Sequence, residues 1–339
     1  MRAAWIALVL VVVMAAGPAR AQILRFSDLP AWDRDDHAQA LAAFVQTCDL
    51  IPGPDWGPIC ALARDTAPDG ARAFFELLFR PVVIGDPPAL FTGYYEPEIE
   101  AALRPGGRFR HPIYRRPPDL RDDVPYFTRA EIDGRGVLAG RGLEIAWAAD
   151  PVDVFFLHIQ GSGRLTLPDG RMIRVGYAGR NNHPYRSLGA ELVRRGLMAD
   201  HEVSAPMIRS WVRRNPDLGL RLLETNPSYV FFRRLDRLPP QAGPIGAMGR
   251  SLTPLRSVAV DPAHVPLGAP VWVDKAGATP MQRLFVAQDT GGVIKGPQRA
   301  DLFWGTGEAA GDAAGRIRDG GRMVVLLPVE TAHVLAAGG

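Results

Sequence analysis

The spacing of apolar residues changes several times along the chain. Residues 33–48 (DRDDHAQALAAFVQTC) and 69–79 (DGARAFFELLF) place apolar side chains three and four positions apart. That spacing predicts two amphipathic helices, the second opened by Asp69 as N-cap and stopped by Pro81. From Phe91 the period shortens. FTGYYEPEIEA (91–101) alternates as a strand does, so Tyr94 and Tyr95 must face opposite sides. Strand-like runs follow at 143–147, 154–160, 164–167 and 172–177, with Pro168-Asp169-Gly170 as a hairpin signal. Helical spacing returns after Ser187, again after Ser204 with Pro206 in the first turn, and over 217–224. Residues 104–125, rich in Pro, Gly and Arg, read as a crossing between two parts of the molecule. From about Gly246 to Val329 the chain has the texture of strands and tight turns.

Within that last region one stretch concentrates chemistry. The apolar run Leu284-Phe285-Val286-Ala287 ends at Asp289; Gly291, Gly292, Lys295 and Gly296 follow, and Asp301 precedes Leu302-Phe303-Trp304. Upstream, Val258-Ala259-Val260 ends at Asp261, a third strand-end acid. Aspartate beside glycine is a common turn pair. A partly buried acid near a cation and apolar walls, however, has a pKa far from ~3.9. The chain holds two lysines, Lys275 and Lys295, against 37 arginines, so Lys295 suggests a need for a compact ammonium.

Several motifs occur together and in a fixed order: FTGYYEP (91–97), HIQGSGR (158–164), YAGRNNHPYRSLG (177–189), NPSYVFF (226–232), AVDPAHVPLG, VAQDTGGVIKG and RADLFWGTG. In these the chain closely resembles the membrane-bound lytic murein transglycosylase A family, with its three-aspartate domain, from about Phe91 onward. The resemblance implies a mainly β fold with peripheral helices. One part is a double-psi β-barrel with N-terminal helices, built from residues 22–105 and 238–339, its three-aspartate portion at about 255–327. The other is an inserted β-rich domain at 106–237, with a groove between the two that would hold a polymer. The implied reaction is non-hydrolytic cleavage of the β-1,4 bond between N-acetylmuramic acid and N-acetylglucosamine in peptidoglycan, leaving 1,6-anhydromuramic acid ends. The family's catalytic acid corresponds to Asp301, acting as acid and then base. Asp289 and Asp261 correspond to the other two aspartates, expected to order the site through Lys295 or backbone amides. Candidate glycan-binding residues are Lys295, Gln160, Ser162, Gly163, Tyr95, Gly93, Tyr177, Asn181, Gly292 and Trp304. Glu96 receives no catalytic role. No cofactor or metal is implied; the expected partners are peptidoglycan strands and other cell-wall enzymes, and the expected state is a monomer.

Charge and cysteine content narrow the setting. Arg2, an apolar run from Ala3 to Ala16 and Ala19-Arg20-Ala21 read as a signal peptide over residues 1–21, too short in its apolar part for the ~20 residues of a membrane span. Ala21-Gln22 stands where lipoprotein relatives carry an acylated cysteine, so a soluble periplasmic protein is expected. Beyond the leader, 37 basic residues face 36 acidic ones, which gives no argument for nucleic acid. Cys48 and Cys60 suit a disulfide in an exported protein, and no zinc-ligand spacing occurs. Asp289-Thr290-Gly291 has the form of an aspartic-protease triplet but lacks the second copy that chemistry requires. A β-glycan hydrolase and a silent peptidoglycan-binding module remain the alternatives.

Overall fold

The computed structural model describes residues 21–338, so the expected leader, all but its last residue Ala21, lies outside the described residues. Two sheets organise the chain. The first has nine strands, in the order Ala21–Ile23, Phe79–Ile84, Gly321–Pro328, Pro270–Lys275, Met281–Thr290, Ser257–Val260, Arg299–Thr306, Leu90–Glu96, Arg318–Asp319. Most neighbours run antiparallel, but Ser257–Val260 pairs parallel to Met281–Thr290, and Arg299–Thr306 parallel to Leu90–Glu96. The second sheet has six strands, in the order His111–Tyr114, Glu144–Ala148, Glu98–Ala102, Ser162–Thr166, Met172–Arg180, Val230–Arg234. Its strand Glu98–Ala102 lies inside the span 22–105 that the sequence assigns to the barrel.

The long apolar runs form the centre of the first sheet because both of their faces are covered. Leu284 to Ala287, Val271 to Val273 and Met323 to Leu326 are all fully buried. On one side they pack against the helices His37–Val45, Trp56–Asp65 and Ala71–Leu78. Phe44, Trp56, Phe74, Phe75 and Phe79 form the aromatic centre of that layer, with ring centroids 5.2–6.4 Å apart. The Trp56–Asp65 helix was not legible in the spacing. Asp69 is not the N-cap of the next helix: it sits in a 3₁₀ turn, Pro68–Gly70, and Gly70 occupies the cap position.

Cys48 and Cys60 are joined in a disulfide with Cα atoms 5.3 Å apart, which ties the short turn Cys48–Leu50 to the helix Trp56–Asp65. Closing a loop of this size contributes about 3 kcal/mol. Replacing both cysteines with serine should therefore lower the melting temperature by several degrees in a thermal scan; an unchanged melting point would show that the helical layer is held without it.

The run at 154–160, which reads as a strand, is the end of a helix, Pro151–Gln160. Asp150 caps it by accepting from the Val152 amide, and Pro151 stands in the first turn. The helix runs between two apolar clusters. Val154 and Leu157 face the six-stranded sheet, while Val152, Phe155 and Phe156 face the helices Leu188–Arg194, Ala205–Arg214 and Pro216–Glu224. Burial on both sides removes the polar positions that would have marked a 3.6-residue period. Ser187 and Ser204 cap their helices as the sequence suggests, each accepting from the amide three residues on. Among the described residues no helix is long and apolar enough to cross a membrane.

Candidate active site

The Leu90–Glu96 strand joins the three-aspartate region to the second sheet. Alternation puts Thr92, Tyr94 and Glu96 on one face and Gly93 and Tyr95 on the other. The first face reads the acids. Asp301 lies opposite Thr92 in the parallel pairing and opposite Ala259 in the antiparallel one. Thr92 Oγ1 donates to Asp301 Oδ1 at 2.5 Å, and Tyr94 OH donates to Asp289 Oδ2 at 2.9 Å. The other face packs. A Cβ on Gly93 would stand 2.7 Å from Ala314 Cα and 2.9 Å from Trp304 Nε1, and one on Gly311 would stand 2.7 Å from the Tyr95 ring. Glycine at 93 is therefore required by the close approach of the Glu308–Ala314 helix.

The three aspartates sit in different environments. Asp289 accepts the amides of Ala247 and Thr290 on Oδ1, at 3.0 and 2.9 Å, besides the Tyr94 hydroxyl on Oδ2. Burial raises its pKa against the pull of these donors. Asp261 accepts Gly296 N at 2.9 Å on Oδ2, and Ala263 N at 3.3 Å and Lys295 Nζ at 3.5 Å on Oδ1. These donors, the Gly296 amide foremost, hold its carboxyl below the usual range. Asp301 receives a single side-chain donor, Thr92, on Oδ1. Its Oδ2 has no hydrogen-bond partner among the described residues and is not enclosed. Burial pushes Asp301 up to about 6, opposed by the Thr92 hydrogen bond and the Arg299 cation and assisted by the Asp289 charge. One acid is thus kept ionised and another is poised to carry a proton near neutrality.

The two sheets are tied together around this site. Glu96, 1% exposed, accepts Arg164 Nε at 2.9 Å and Arg174 Nη2 at 2.7 Å from the second sheet, and Thr306 Oγ1 at 2.8 Å from the first. Arg209 Nη2 donates to Tyr95 OH at 3.0 Å and also pairs with Asp153. Gly292 lies under Arg180, whose Nη1 would be 3.2 Å from a Cβ there.

Several residues expected to bind glycan have other work. Asn181 is fully buried: its Nδ2 donates to the carbonyls of Phe127 and Pro227 at 2.8 Å, and its Oδ1 accepts Tyr229 N at 2.8 Å. It clamps loops of the insert and has no amide hydrogen free. Gly163 is a packing glycine, because a Cβ would stand 2.4 Å from Leu157 Cδ1 and 3.1 Å from Pro97 O. Ser162 is buried in its strand. Gln160 Oε1 accepts Tyr95 N at 2.9 Å, an interdomain bond. Trp304 packs against the barrel core with its indole N–H buried and unpartnered. Lys295 reaches Asp261 and not Asp289, and its side chain is 63% exposed. Tyr177, half exposed on the Met172–Arg180 strand, remains open to a ligand. Thr92 and Arg299 were missed as site residues; the two-residue period of FTGYYEP, which marks Tyr94 as a candidate groove residue, was the signal that could have found Thr92. Among the described residues, no group of three or more His, Cys, Asp or Glu side chains is placed to hold a metal.

Comparison with known proteins accords with this geometry. A family model described as the MltA specific insert domain matches residues 90–233, and one described as the 3D domain matches residues 256–327. The membrane-bound lytic murein transglycosylase A of Vibrio cholerae is 38% identical over 246 residues, 69% of this chain and 64% of that protein. The matched part thus spans less than two thirds of that relative's length. The crystal structure of a membrane-bound lytic murein transglycosylase from Agrobacterium tumefaciens is 33% identical, with a TM-score of 0.84 over 93% of this chain and 99% of that one. Escherichia coli MltA with bound chitohexaose is 29% identical, with a TM-score of 0.73 over 92% and 94%. The nine-stranded part is accordingly a double-psi β-barrel, in a two-domain fold. With a third of its residues identical across the whole of a solved relative, the chain belongs to the MltA family of membrane-bound lytic murein transglycosylases.

Proposed function

We propose that this protein is a lytic transglycosylase acting on peptidoglycan, with Asp301 as its single catalytic acid and base. The observation that carries the reading is the unequal use of the three carboxyls. Both oxygens of Asp289 and both of Asp261 are taken by donors, whereas Asp301 keeps one oxygen open. Hydrolysing glycosidases employ two working carboxyls, one as acid and one as base or nucleophile. A transglycosylase manages with one, because the C6 hydroxyl of the muramic acid ring attacks its own C1. Asp301 protonates the leaving oxygen, then takes the proton of the attacking hydroxyl. A nucleophile tethered in the substrate has an effective molarity that can reach ~10⁵ M or more, far above that of water.

The remaining site residues prepare that acid. Tyr94 and the two amides hold Asp289 beside it, where a negative charge helps keep Asp301 protonated. Tyr177 offers a ring face to a sugar in the groove between barrel and insert. The periplasm, where peptidoglycan lies and disulfides persist, is the place of action on this reading.

Incubation with purified murein sacculi should release soluble muropeptides, while chitin oligomers, which lack the lactyl group, should be cleaved poorly or not at all. Sacculi left intact by folded protein would overturn the proposal. The pH profile follows from Asp301. Its acid form is present below about 6 and is lost as pH rises through that value. The rate kcat/KM on murein should therefore descend with a midpoint near 6; a profile flat from pH 5 to about 8 would remove Asp301 as the acid.

A further inference from the structure

The one hydrogen bond to Asp301 is held from behind. Arg299 Nη2 donates to Thr92 Oγ1 at 2.8 Å, and Thr92 Oγ1 donates to Asp301 Oδ1 at 2.5 Å. A guanidinium only donates, while a hydroxyl has one hydrogen and two lone pairs. Arg299 therefore fills one acceptor position on Oγ1, and the hydroxyl donates its hydrogen to the ionised Oδ1. Arg299 is itself anchored, through Nη1, to the carbonyls of Leu90 at 3.3 Å and Ala300 at 2.5 Å. Its guanidinium thus spans the two parallel strands that carry Thr92 and Asp301. A proton on Oδ1 would displace the hydroxyl hydrogen from the short Thr92 contact and require the hydroxyl to turn its second lone pair there. Oδ2 meets no such conflict, having no partner among the described residues. The charged and titratable groups facing this carboxyl are Arg299 on its own strand, Thr92's neighbour Tyr94 on the adjoining one, and Asp289 from Met281–Thr290.

We infer that Arg299 and Thr92 are positioning residues, a relay that biases the proton of Asp301 toward Oδ2, the oxygen open to substrate. The inference rests on the transglycosylase reading and adds to it which oxygen works and what fixes the choice. In the forward step the Oδ2–H bond breaks and the proton passes to the glycosidic oxygen. The C1–O bond then breaks with its electron pair on that oxygen. As the C6 oxygen bonds to C1, Oδ2 takes the C6 hydroxyl proton, so Asp301 ends protonated on the oxygen it began with. The protonated population is thereby biased toward the reactive oxygen.

The test compares Arg299→Met, Thr92→Val and Thr92→Ser with wild type, measuring kcat and KM on murein across pH. Arg299→Met removes a cation, and Thr92→Val removes a hydrogen bond to the carboxylate. Each should move the descending limb up by about one pH unit and lower the acid-side kcat by roughly tenfold, with KM little changed. Thr92→Ser keeps a hydroxyl within reach of Arg299 and should hold the limb near its wild-type position. A role in packing alone would lower activity without moving the limb. Unmoved limbs in both Arg299→Met and Thr92→Val, or a limb in Thr92→Ser as far displaced as in Thr92→Val, would overturn the inference while leaving the function reading intact. Should Arg299→Met fail to fold, the Thr92→Val and Thr92→Ser pair decides. Turnover by Asp301→Asn would instead sink the function reading and the relay with it.

Discussion

Asp301→Asn should lower turnover on murein by a factor of about 10³ or more and, near pH 7.5, raise the melting temperature. The two effects share one cause. The amide fills the space of the carboxyl but cannot cycle a proton. The native acid titrates near 6, above the ~3.9 of an unfolded aspartate. A raised folded-state pKa contributes stability below about pH 4, and that contribution is lost as pH rises through 6. At pH 7.5 the folded wild type therefore holds a carboxylate in a poorly solvated place. With some allowance for its partial exposure, the asparagine variant avoids a cost of about 2 kcal/mol. Its advantage should shrink toward pH 4. Calorimetry at both pH values checks this; an inactive variant melting below wild type at pH 7.5 would mean that the acid is not desolvated.

Glu96→Ala should destabilise the protein by about 3–5 kcal/mol, the range for breaking a buried ion pair from one side. Arg174 and Arg164 have side chains only 5% and 13% exposed, and both lose their carboxylate. Backbone carbonyls at Pro239 and Ala242 satisfy some of their hydrogens but carry no neutralising charge. The strand that holds Glu96 also positions Thr92 and Tyr94, so activity should fall with stability. Glu96→Gln, which fills the same space and keeps one of the two acceptor oxygens, should cost less, about 1–3 kcal/mol. Urea titration measures both variants; a loss under about 1 kcal/mol in Glu96→Ala would mean that other contacts hold barrel and insert together.

What could be read from the chain depended on whether each residue's partners lie nearby in sequence. Continuous apolar runs such as LFVA at 284–287 announce buried strands, and the aspartates ending them are visible as a pattern. The helix caps at Ser187 and Ser204 are equally local. The Pro151–Gln160 helix was hidden because both of its sides are apolar. Asn181 looked like a loop asparagine free for sugars, yet its partners Phe127, Pro227 and Tyr229 are brought to it only by folding. The site shows the same contrast. Asp301 was legible, but its bond to Thr92 crosses 209 positions and that of Tyr94 to Asp289 crosses 195. No spacing rule reaches that far. Gly93 and Gly163, candidate glycan contacts, make room for a helix that lies far off in the sequence and for a side chain on the adjoining element.

On the proposed reading, one carboxyl cleaves the glycan without water. Digestion of sacculi in ¹⁸O-labelled water, followed by mass spectrometry of the muropeptides, tests it directly. The predicted products end in 1,6-anhydromuramic acid and carry no ¹⁸O, with the same outcome when metal ions are chelated. Reducing muramic acid ends that carry ¹⁸O would instead make the protein a hydrolase.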